Sequence, residues 1–452
     1  MAYSSVRGRK PIERASKIAH AEIINNPEVQ AFLEGCTVPE PPAPSEVADR
    51  TTSVPPPLER RINTVIAIDG GFTEAPIRRE FPSASVTFFT FGPLLFQLRD
   101  LEILDQQPFI APEDIARLKH IQRYSLVLPT KNISRRGKSL QLSVRETLFE
   151  FFEARPHNDP PLADALRWVL FRGWVSGGEK VWRLPRCPNA GCRRENIELV
   201  PSSPNLDVCS ECSGPIYLVD ALRLHERIDE EQGASGVLAY VMTTLEHIVL
   251  AHLVKTLWEL KPQVLSEVLF IKDGPLAFFG QTAPLSQPMR ELATFLGAYP
   301  KSDEAGATQS LLNAVGLEKS GAFVEHAQQI EDRLQPNTAL ILSTDYIYRY
   351  IVPGDPLSPD PYGKNTYWGG KLIYKAADRN VYVATVPTHG FNPAPTFADF
   401  PNLAEILSVV GKLRCSMYDN ALIPIALVNK LVSLSDFPSA RILETFARSR
   451  MQ

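Results

Sequence analysis

Two stretches, INTVIAIDGG (62–71) and SEVLFIKDGPL (266–276), decide how this chain folds. In each, a run rich in β-branched and apolar residues leads into an aspartate that is followed by glycine. Such runs are typical of buried strands, and ligands of α/β folds bind at the carboxyl ends of strands. The sequence therefore predicts two buried strands that carry Asp69 and Asp273 to one edge of a sheet.

Asp69 and Asp273 are candidate ligands for divalent cations. A carboxylate held at a strand end, beside a glycine that leaves room for substrate, suits Mg²⁺ or Mn²⁺, which prefer hard oxygen ligands. Two such ions about 4 Å apart can stabilise both the attacking and the leaving oxygen of a phosphodiester. Asp-Gly is also a common turn dipeptide, so an ordinary turn is the alternative at each position.

A third carboxylate is predicted on a helix. The stretch 237–260, VLAYVMTTLEHIVLAHLVKTLWEL, contains no glycine or proline and lies within a predicted helical region, 220–260. Glu246 stands among its apolar residues, where an acid is costly unless it is paired, bound to metal or exposed at an edge. A glutamate at the helix rim that forms a salt bridge is the alternative.

Four of the six cysteines form two close pairs, Cys187 with Cys192 and Cys209 with Cys212. Two such cysteine pairs suit the tetrahedral coordination of Zn²⁺. A zinc site whose four ligands are all cysteine sulfurs has a structural role, because no position is left for substrate or water. With little core of its own, this module is expected to fold only when metal is bound.

Four arginines lie near the first cysteine pair: Arg183, Arg186, Arg193 and Arg194. They could bind along a phosphate backbone. The alternative is that the zinc ribbon is a protein docking surface. Cys36 and Cys415 are expected to be ordinary thiols.

The rest of the chain supplies further strands and helices of an α/β fold with a mixed sheet. The predicted divisions are 1–57, a helical arm and Pro-rich linker; 58–180, the first part of the main domain; 181–219, the zinc ribbon; and 220–452, the remainder. Further strands are predicted at 85–96, 338–351, 366–374 and 380–387, and helices at 112–124, 140–172 and 402–450.

Composition narrows the class of protein. The chain has 452 residues, 44% hydrophobic and 22% charged, with a net charge of -4, which is typical of a soluble globular protein. This charge argues against binding nucleic acid with the whole surface, but it allows a local basic channel. We find no secretory signal, no Walker motif and no apolar stretch of the length that a membrane span needs. The cytoplasm is the expected compartment, with no membrane attachment.

In their order and spacing, these segments resemble the NurA nuclease family. The matching text is VIAIDGG, TLEHIVLA, LFIKDGPL, VGLEKSGAFVEH, KLIYKAADRNVYVATVP and YDNALIPIALVNKLVSL. The resemblance implies an RNase H-like mixed sheet flanked by helices, a homodimer, and Mn²⁺- or Mg²⁺-dependent cleavage of DNA. It also implies that the chain functions together with a HerA-like hexameric ATPase, in DNA end processing or in defence against phage.

The resemblance also assigns roles to single residues. The zinc ribbon, 181–219, is an insertion relative to the simplest members of the family. Asp69, Asp273 and Glu246 match the acidic residues of the family, with Glu146 as the rival of Glu246 because this insertion makes the alignment ambiguous there. Lys319, in VGLEKSG, matches a family lysine and would contact the scissile phosphate.

The last metal ligand departs from the family pattern. Asn429 stands where the family often has a histidine, and it could bind the ion through its carbonyl oxygen. Asp419 or His389 could replace it. This departure also favours a second function, a catalytically silent assembly platform for the ATPase. A third function is a DNA-binding adaptor that acts through the zinc ribbon.

Overall fold

A computed structural model describes residues 17–100, 123–156, 159–176, 180–300, 308–414, 422–434 and 439–451. The chain divides into two units, residues 1–41 and 42–452. In the first unit, helix α1 (Lys17–Ile24) is followed by α2 (Pro27–Glu34). The Asn26 side chain caps α2 by accepting a hydrogen bond from the Glu28 N–H, as expected for a good N-cap residue.

The second unit is built on a mixed β-sheet. The described strands are β1 (Thr51–Ser53), β2 (Thr64–Arg78), β3 (Ala84–Gln97), β4 (Tyr124–Lys131), β5 (Trp182–Arg186), β6 (Glu195–Leu199), β7 (Leu206–Val208), β8 (Pro215–Tyr217), β9 (Val268–Asp273), β10 (Tyr299–Pro300), β11 (Thr308–Gln309), β12 (Asn313–Glu318), β13 (Thr338–Ile341), β14 (Gly369–Lys375) and β15 (Val381–Pro387). Nine of them form the main sheet in the order β1-β13-β14-β15-β12-β9-β2-β3-β4. β9 is parallel to both of its neighbours, β2 and β12, and the other pairs are antiparallel.

Helices cover both faces of this sheet. They are α3 (Pro44–Arg50), α4 (Leu140–Glu153), α5 (Leu162–Leu170), α6 (Leu238–Leu260), α7 (Ser286–Gly297), α8 (Ala322–Ile330), α9 (Thr344–Tyr350), α10 (Leu403–Val410), α11 (Ile423–Val432) and α12 (Ser439–Met451). Because strand residues alternate between faces, Ile66, Ile68 and Phe270 pack in one core with α4 to α6. Ala67 and Ile271 pack in the other core, with α10 and α11. The predicted α/β class with a mixed sheet flanked by helices is confirmed.

Helix α6 is the central helix of the first core. Together with the turn before it, the segment Ser235–Leu260 is long and apolar enough to cross a membrane by length and composition. The prediction that no such stretch exists was therefore wrong. Because 78% of its most apolar window is buried inside the fold, the apolar composition is accounted for by core packing against the sheet.

Part of the predicted linker is ordered structure. α3 begins at Pro44 and buries Val47 completely, and β1 pairs with β13 at the sheet edge. Proline is tolerated in the first turn of a helix, because the N–H that it lacks would have no partner there. A linker was therefore the wrong prediction for residues 44–53.

Two other predictions differ from the structure. The predicted strand 338–351 ends at Ile341, and α9 follows because the Ser343 side chain caps it by accepting from the Tyr346 N–H. In the predicted helical region 220–260, regular helix begins only at Leu238, after short 3-10 turns. Of the predicted helix 112–124, residues 112–122 lie outside the described residues. Strand β4 begins at Tyr124, where the helix was predicted to end.

The two glycines after Asp69 allow close packing on opposite faces of β2. A Cβ atom at Gly70 would overlap the Met242 side chain of α6 and would lie 2.8 Å from the Phe91 Cβ atom. A Cβ atom at Gly71 would lie 2.9 Å from the Val432 carbonyl oxygen of α11. Both core helices therefore approach β2 at the point where the candidate site lies.

Gly70→Ala is expected to lower the free energy of unfolding by about 1–3 kcal/mol, because the added methyl group overpacks the contact with the Phe91 Cβ atom of β3 and displaces the end of the Met242 side chain. Thermal unfolding followed by circular dichroism would measure the change. Gly236→Ala is the matched control, because a Cβ atom there meets no atom within 4 Å. Equal midpoints for the two variants would contradict the packing argument.

Candidate functional site

The parallel pairing of β2 with β9 brings the two predicted aspartates together. The pairing runs to Ile68 opposite Lys272, so Asp69 and Asp273 follow side by side on strands about 4.8 Å apart. β9 ends at Asp273, but β2 continues to Arg78 along β3. The prediction that Asp69 ends its strand was therefore wrong, although Asp69 does stand where β2 loses its partner β9.

Asp69 is buried and tightly held. Its side chain accepts hydrogen bonds from the Gly70 N–H at 2.7 Å and from the Asn429 side-chain amide at 3.0 Å, and the residue is only 2% exposed. Burial, followed by repulsion from Asp273 and Glu246, raises the pKa of Asp69 to about 7. Asn429 thus contacts the site as a hydrogen-bond donor to Asp69.

Asp273 lies closer to solvent and is paired with Lys319. The Lys319 Nζ atom lies 2.9 Å from the Asp273 Oδ2 atom, and the two side chains are 43% and 23% exposed. Lys319 comes directly after β12, which pairs in parallel with β9 and sets Leu317 opposite Asp273. The predicted lysine and the predicted aspartate therefore meet at the same strand ends.

Glu246 forms a buried ion pair with a residue that sequence analysis missed, Lys272. The Lys272 Nζ atom lies 2.7 Å from the Glu246 Oε2 atom, and both side chains are less than a tenth exposed. Lys272 also donates to the Asp273 carbonyl oxygen at 2.5 Å. Burial raises the pKa of Glu246, and Lys272 opposes the rise. A lysine directly before the aspartate of a buried strand was the signal that could have revealed it.

The acidic residues approach one another from the two faces of the sheet. Alternation along β2 and β9 directs Asp69 and Asp273 toward the α11 side and Lys272 toward the α6 side, where Glu246 lies. In the described part of the chain, the four cysteines are the only set of three or more Cys, His, Asp or Glu that could hold an ion as it stands. The acids are instead bound by Lys272, Lys319 and Asn429.

The donor set nevertheless fits one divalent ion. Carboxylate oxygens are the ligands that Mg²⁺ and Mn²⁺ prefer, and mutual repulsion among the three acids is part of what raises the pKa of Asp69. A cation that binds beside Asp69 and Asp273 would relieve that repulsion.

Two of the rival residues, Glu146 and His389, have other surroundings. Glu146 is paired with Lys138 at 2.6 Å and Arg136 at 3.5 Å, and the bond from Lys138 lowers the pKa of Glu146. The ring of His389 lies against Gly297. Asp419 is outside the described residues.

The four paired cysteines converge on one point. Their sulfur atoms all lie within 4.8 Å of one another, with 3.9 Å between Cys187 and Cys212 and 3.8 Å between Cys192 and Cys209. Four sulfurs at about 2.3 Å from a tetrahedral Zn²⁺ would be about 3.8 Å apart. Backbone hydrogen bonds, first from the Cys212 N–H, lower the pKa of Cys209 to about 6, whereas burial raises the pKa of Cys187 to about 12. The metal site is therefore inferred from the geometry of the four sulfur atoms.

The cysteine module is attached to the main fold. Its hairpins, β5–β6 and β7–β8, contribute Trp182, Ile197 and Ile216 to the core that contains α6. Buried Arg145 of α4 joins Asp220 through two hydrogen bonds of 2.8 Å and also donates to the Pro215 carbonyl oxygen. The module therefore packs on the main core instead of forming a separate one.

Two of the four predicted DNA-binding arginines have internal partners. Arg183 pairs with Glu198 across the β5–β6 hairpin at 2.7 Å, and Arg194 donates toward the Cys209 sulfur at 3.9 Å. Arg186 and Arg193 are exposed.

Comparisons with known proteins add little. No family model and no curated protein matches the chain. Among solved structures, it is similar to the crystal structure of the NurA nuclease from Sulfolobus solfataricus, with 10% identity, 97% of each chain covered and a TM-score of 0.35. A TM-score this low supports no argument about the site.

The cysteine geometry predicts one zinc ion per chain in the purified protein. Cys209→Ser should lose the zinc and lower the thermal midpoint, because three sulfurs cannot close the shell. Elemental analysis and thermal unfolding would measure both effects. Cys36→Ser is the matched control, because Cys36 is an exposed free cysteine and should change neither quantity. Full zinc content in Cys209→Ser would refute the assignment.

The raised pKa of Asp69 predicts how stability depends on pH in zinc-loaded protein without added Mn²⁺ or Mg²⁺. The folded-state pKa of about 7 exceeds the ordinary value of 3.8, so the folded state binds the proton more tightly. The stability from this group is present at low pH and is lost as pH rises from about 4 to about 7.

Asp69→Asn should remove that loss, so the variant should exceed wild type in free energy of unfolding near pH 8 by up to about 4 kcal/mol. Urea unfolding at a series of pH values would test this, with the exposed Asp360→Asn as control. Parallel pH profiles for Asp69→Asn and wild type would contradict it.

Proposed function

We propose that this chain is a divalent-metal-dependent deoxyribonuclease whose centre is formed by Asp69, Asp273 and Glu246. The observation that carries the proposal is the convergence of three carboxylates and two lysines at the end of β9. These groups come from four separate segments of the chain, and their burial and repulsion are costly to folding. Such costs are typical of functional sites.

In this proposal each acid has a distinct task. Asp69 and Asp273 supply oxygen ligands from one face of the sheet, and Glu246 completes the acidic set from the other. Asn429 orients the Asp69 carboxylate through their 3.0 Å hydrogen bond. A bound Mn²⁺ or Mg²⁺ would polarise the phosphodiester and make water a better nucleophile.

Lys319 would exchange partners when DNA binds. Its side chain is 43% exposed, so it can leave Asp273 at little cost in desolvation. Released, the ammonium group would contact the scissile phosphate and stabilise the charge that develops during cleavage.

The partners and the setting follow from the sequence resemblance alone. They are a HerA-like hexameric ATPase that feeds DNA to this subunit, a second copy of the chain, and a role in DNA end processing or phage defence in the cytoplasm. The exposed Arg186 and Arg193 would contact the DNA backbone or the ATPase. The helices before residue 35 would help to recruit the ATPase.

A second candidate function is a catalytically silent platform for the ATPase. The specific observation in its favour is that every acid of the site already has an internal partner. In that case Asp69→Ala would leave biological function intact.

Cleavage of a labelled linear duplex tests the nuclease directly. Wild type with Mn²⁺ or Mg²⁺, in the presence of the ATPase and ATP, should cut the duplex. Asp273→Ala should be slower by at least about 100-fold, because it removes an ion ligand and the partner of Lys319.

Glu146→Ala is the matched control and should keep wild-type activity, because Glu146 is paired with Lys138 outside the site. No cutting by wild type while the ATPase turns over would favour the platform. An equal loss of cleavage activity in Asp273→Ala and Glu146→Ala would argue against Asp273 as part of the centre.

A further inference from the structure

Lys272 differs from an ordinary surface lysine in its surroundings. It is 2% exposed and ranks among the largest fully buried side chains of the described residues. Its ammonium group contacts the Glu246 carboxylate at 2.7 Å and the Asp273 carbonyl oxygen at 2.5 Å. It therefore joins the acid on the α6 side to the strand end that carries the acid on the α11 side.

The two lysines of the site differ in their freedom. Lys319 is close to half exposed and can move. Lys272 cannot leave without abandoning a buried carboxylate, which is strongly unfavourable. Lys272 is thus a fixed part of the centre, whereas Lys319 can exchange partners.

The charges of the site set how many metal ions it can hold. When all five groups are ionised, the three carboxylates and the two lysines carry one net negative charge. One divalent ion and one phosphodiester would bring that total to neutrality. A second divalent ion would leave a surplus of two positive charges in a partly buried site, which electrostatic repulsion disfavours.

We propose that the Lys272 ammonium group occupies the place of a second metal ion, so that the centre binds a single divalent ion beside Asp69 and Asp273. Lys272 acts through Glu246 and is therefore a positioning residue. The inference builds on the nuclease function proposed above and replaces the two-ion arrangement that the sequence suggested.

Counting bound Mn²⁺ tests the inference without measuring cleavage. Zinc-loaded full-length protein, free of DNA, would be titrated with Mn²⁺. Isothermal titration calorimetry would give the stoichiometry, and electron paramagnetic resonance would separate isolated from spin-coupled ions. Wild type should bind one Mn²⁺ per chain, with the signal of an isolated ion.

Replacing Lys272 should change that number. Lys272→Met removes the charge while keeping an apolar side chain, and it frees Glu246, so the expected stoichiometry rises from one to two. Adding Glu246→Gln to this variant should restore the stoichiometry of one Mn²⁺ per chain. Lys272→Arg keeps the charge and should bind one ion as wild type does.

Lys371 offers a matched control. It is 4% exposed and pairs with Glu318 at 2.6 Å, so Lys371→Met also removes a buried lysine from a glutamate pair. This variant should keep one Mn²⁺ per chain, which separates a local effect from a general loss of stability.

The outcomes are distinguishable. Two spin-coupled ions in wild type would overturn the inference and leave the nuclease proposal standing. Absence of Mn²⁺ binding, or binding that survives Asp69→Asn together with Asp273→Asn, would overturn the proposed function itself. If Lys272→Met does not fold, two ions in wild type, or a second ion in Lys272→Arg, would still overturn the inference.

Discussion

The parallel pairing of β9 with β2 is the constraint on which the rest of the site depends. It places Asp69 and Asp273 on neighbouring strands where β9 ends. The same pairing directs Lys272 to the opposite face, where α6 presents Glu246. Parallel neighbours require a long connection, and α6 lies in the connection between β2 and β9. One topological choice therefore provides two acids and the helix that carries the third.

Close packing around β2 explains why glycine follows Asp69 twice. α6 and α11 approach the strand on opposite faces at Gly70 and Gly71, and α11 carries Asn429 into contact with Asp69. A side chain at Gly71 would press on the backbone of α11, the helix that carries Asn429, and one at Gly70 would press on Phe91 and Met242. The position of α11, and with it the contact between Asn429 and Asp69, therefore depends on glycine at position 71.

The charged groups of the centre differ in how exposed they are, from the interior to the surface. Glu246 and Lys272 are buried and fixed, Asp69 is buried and crowded, and Asp273 with Lys319 lies nearest to solvent. The fixed groups thus lie at depth, and the groups that can exchange partners lie where, in the proposed function, an ion and a phosphate would arrive. The cysteine module is separate from this centre: its four sulfur atoms converge on one point, and the buried Arg145–Asp220 pair joins α4 to the segment that follows β8.

The sequence by itself determined the local features. Runs of β-branched residues predicted β2 and β9, the cysteine spacing predicted one compact thiol cluster, and the apolar stretch 237–260 predicted the core helix. Only the tertiary structure decided which distant groups meet. It paired Glu246 with Lys272, left Glu146 with Lys138, and joined residues 51–53 to the sheet. The physical reason is that local patterns report backbone preference and burial, whereas ion pairs and sheet edges depend on contacts between segments far apart in the chain.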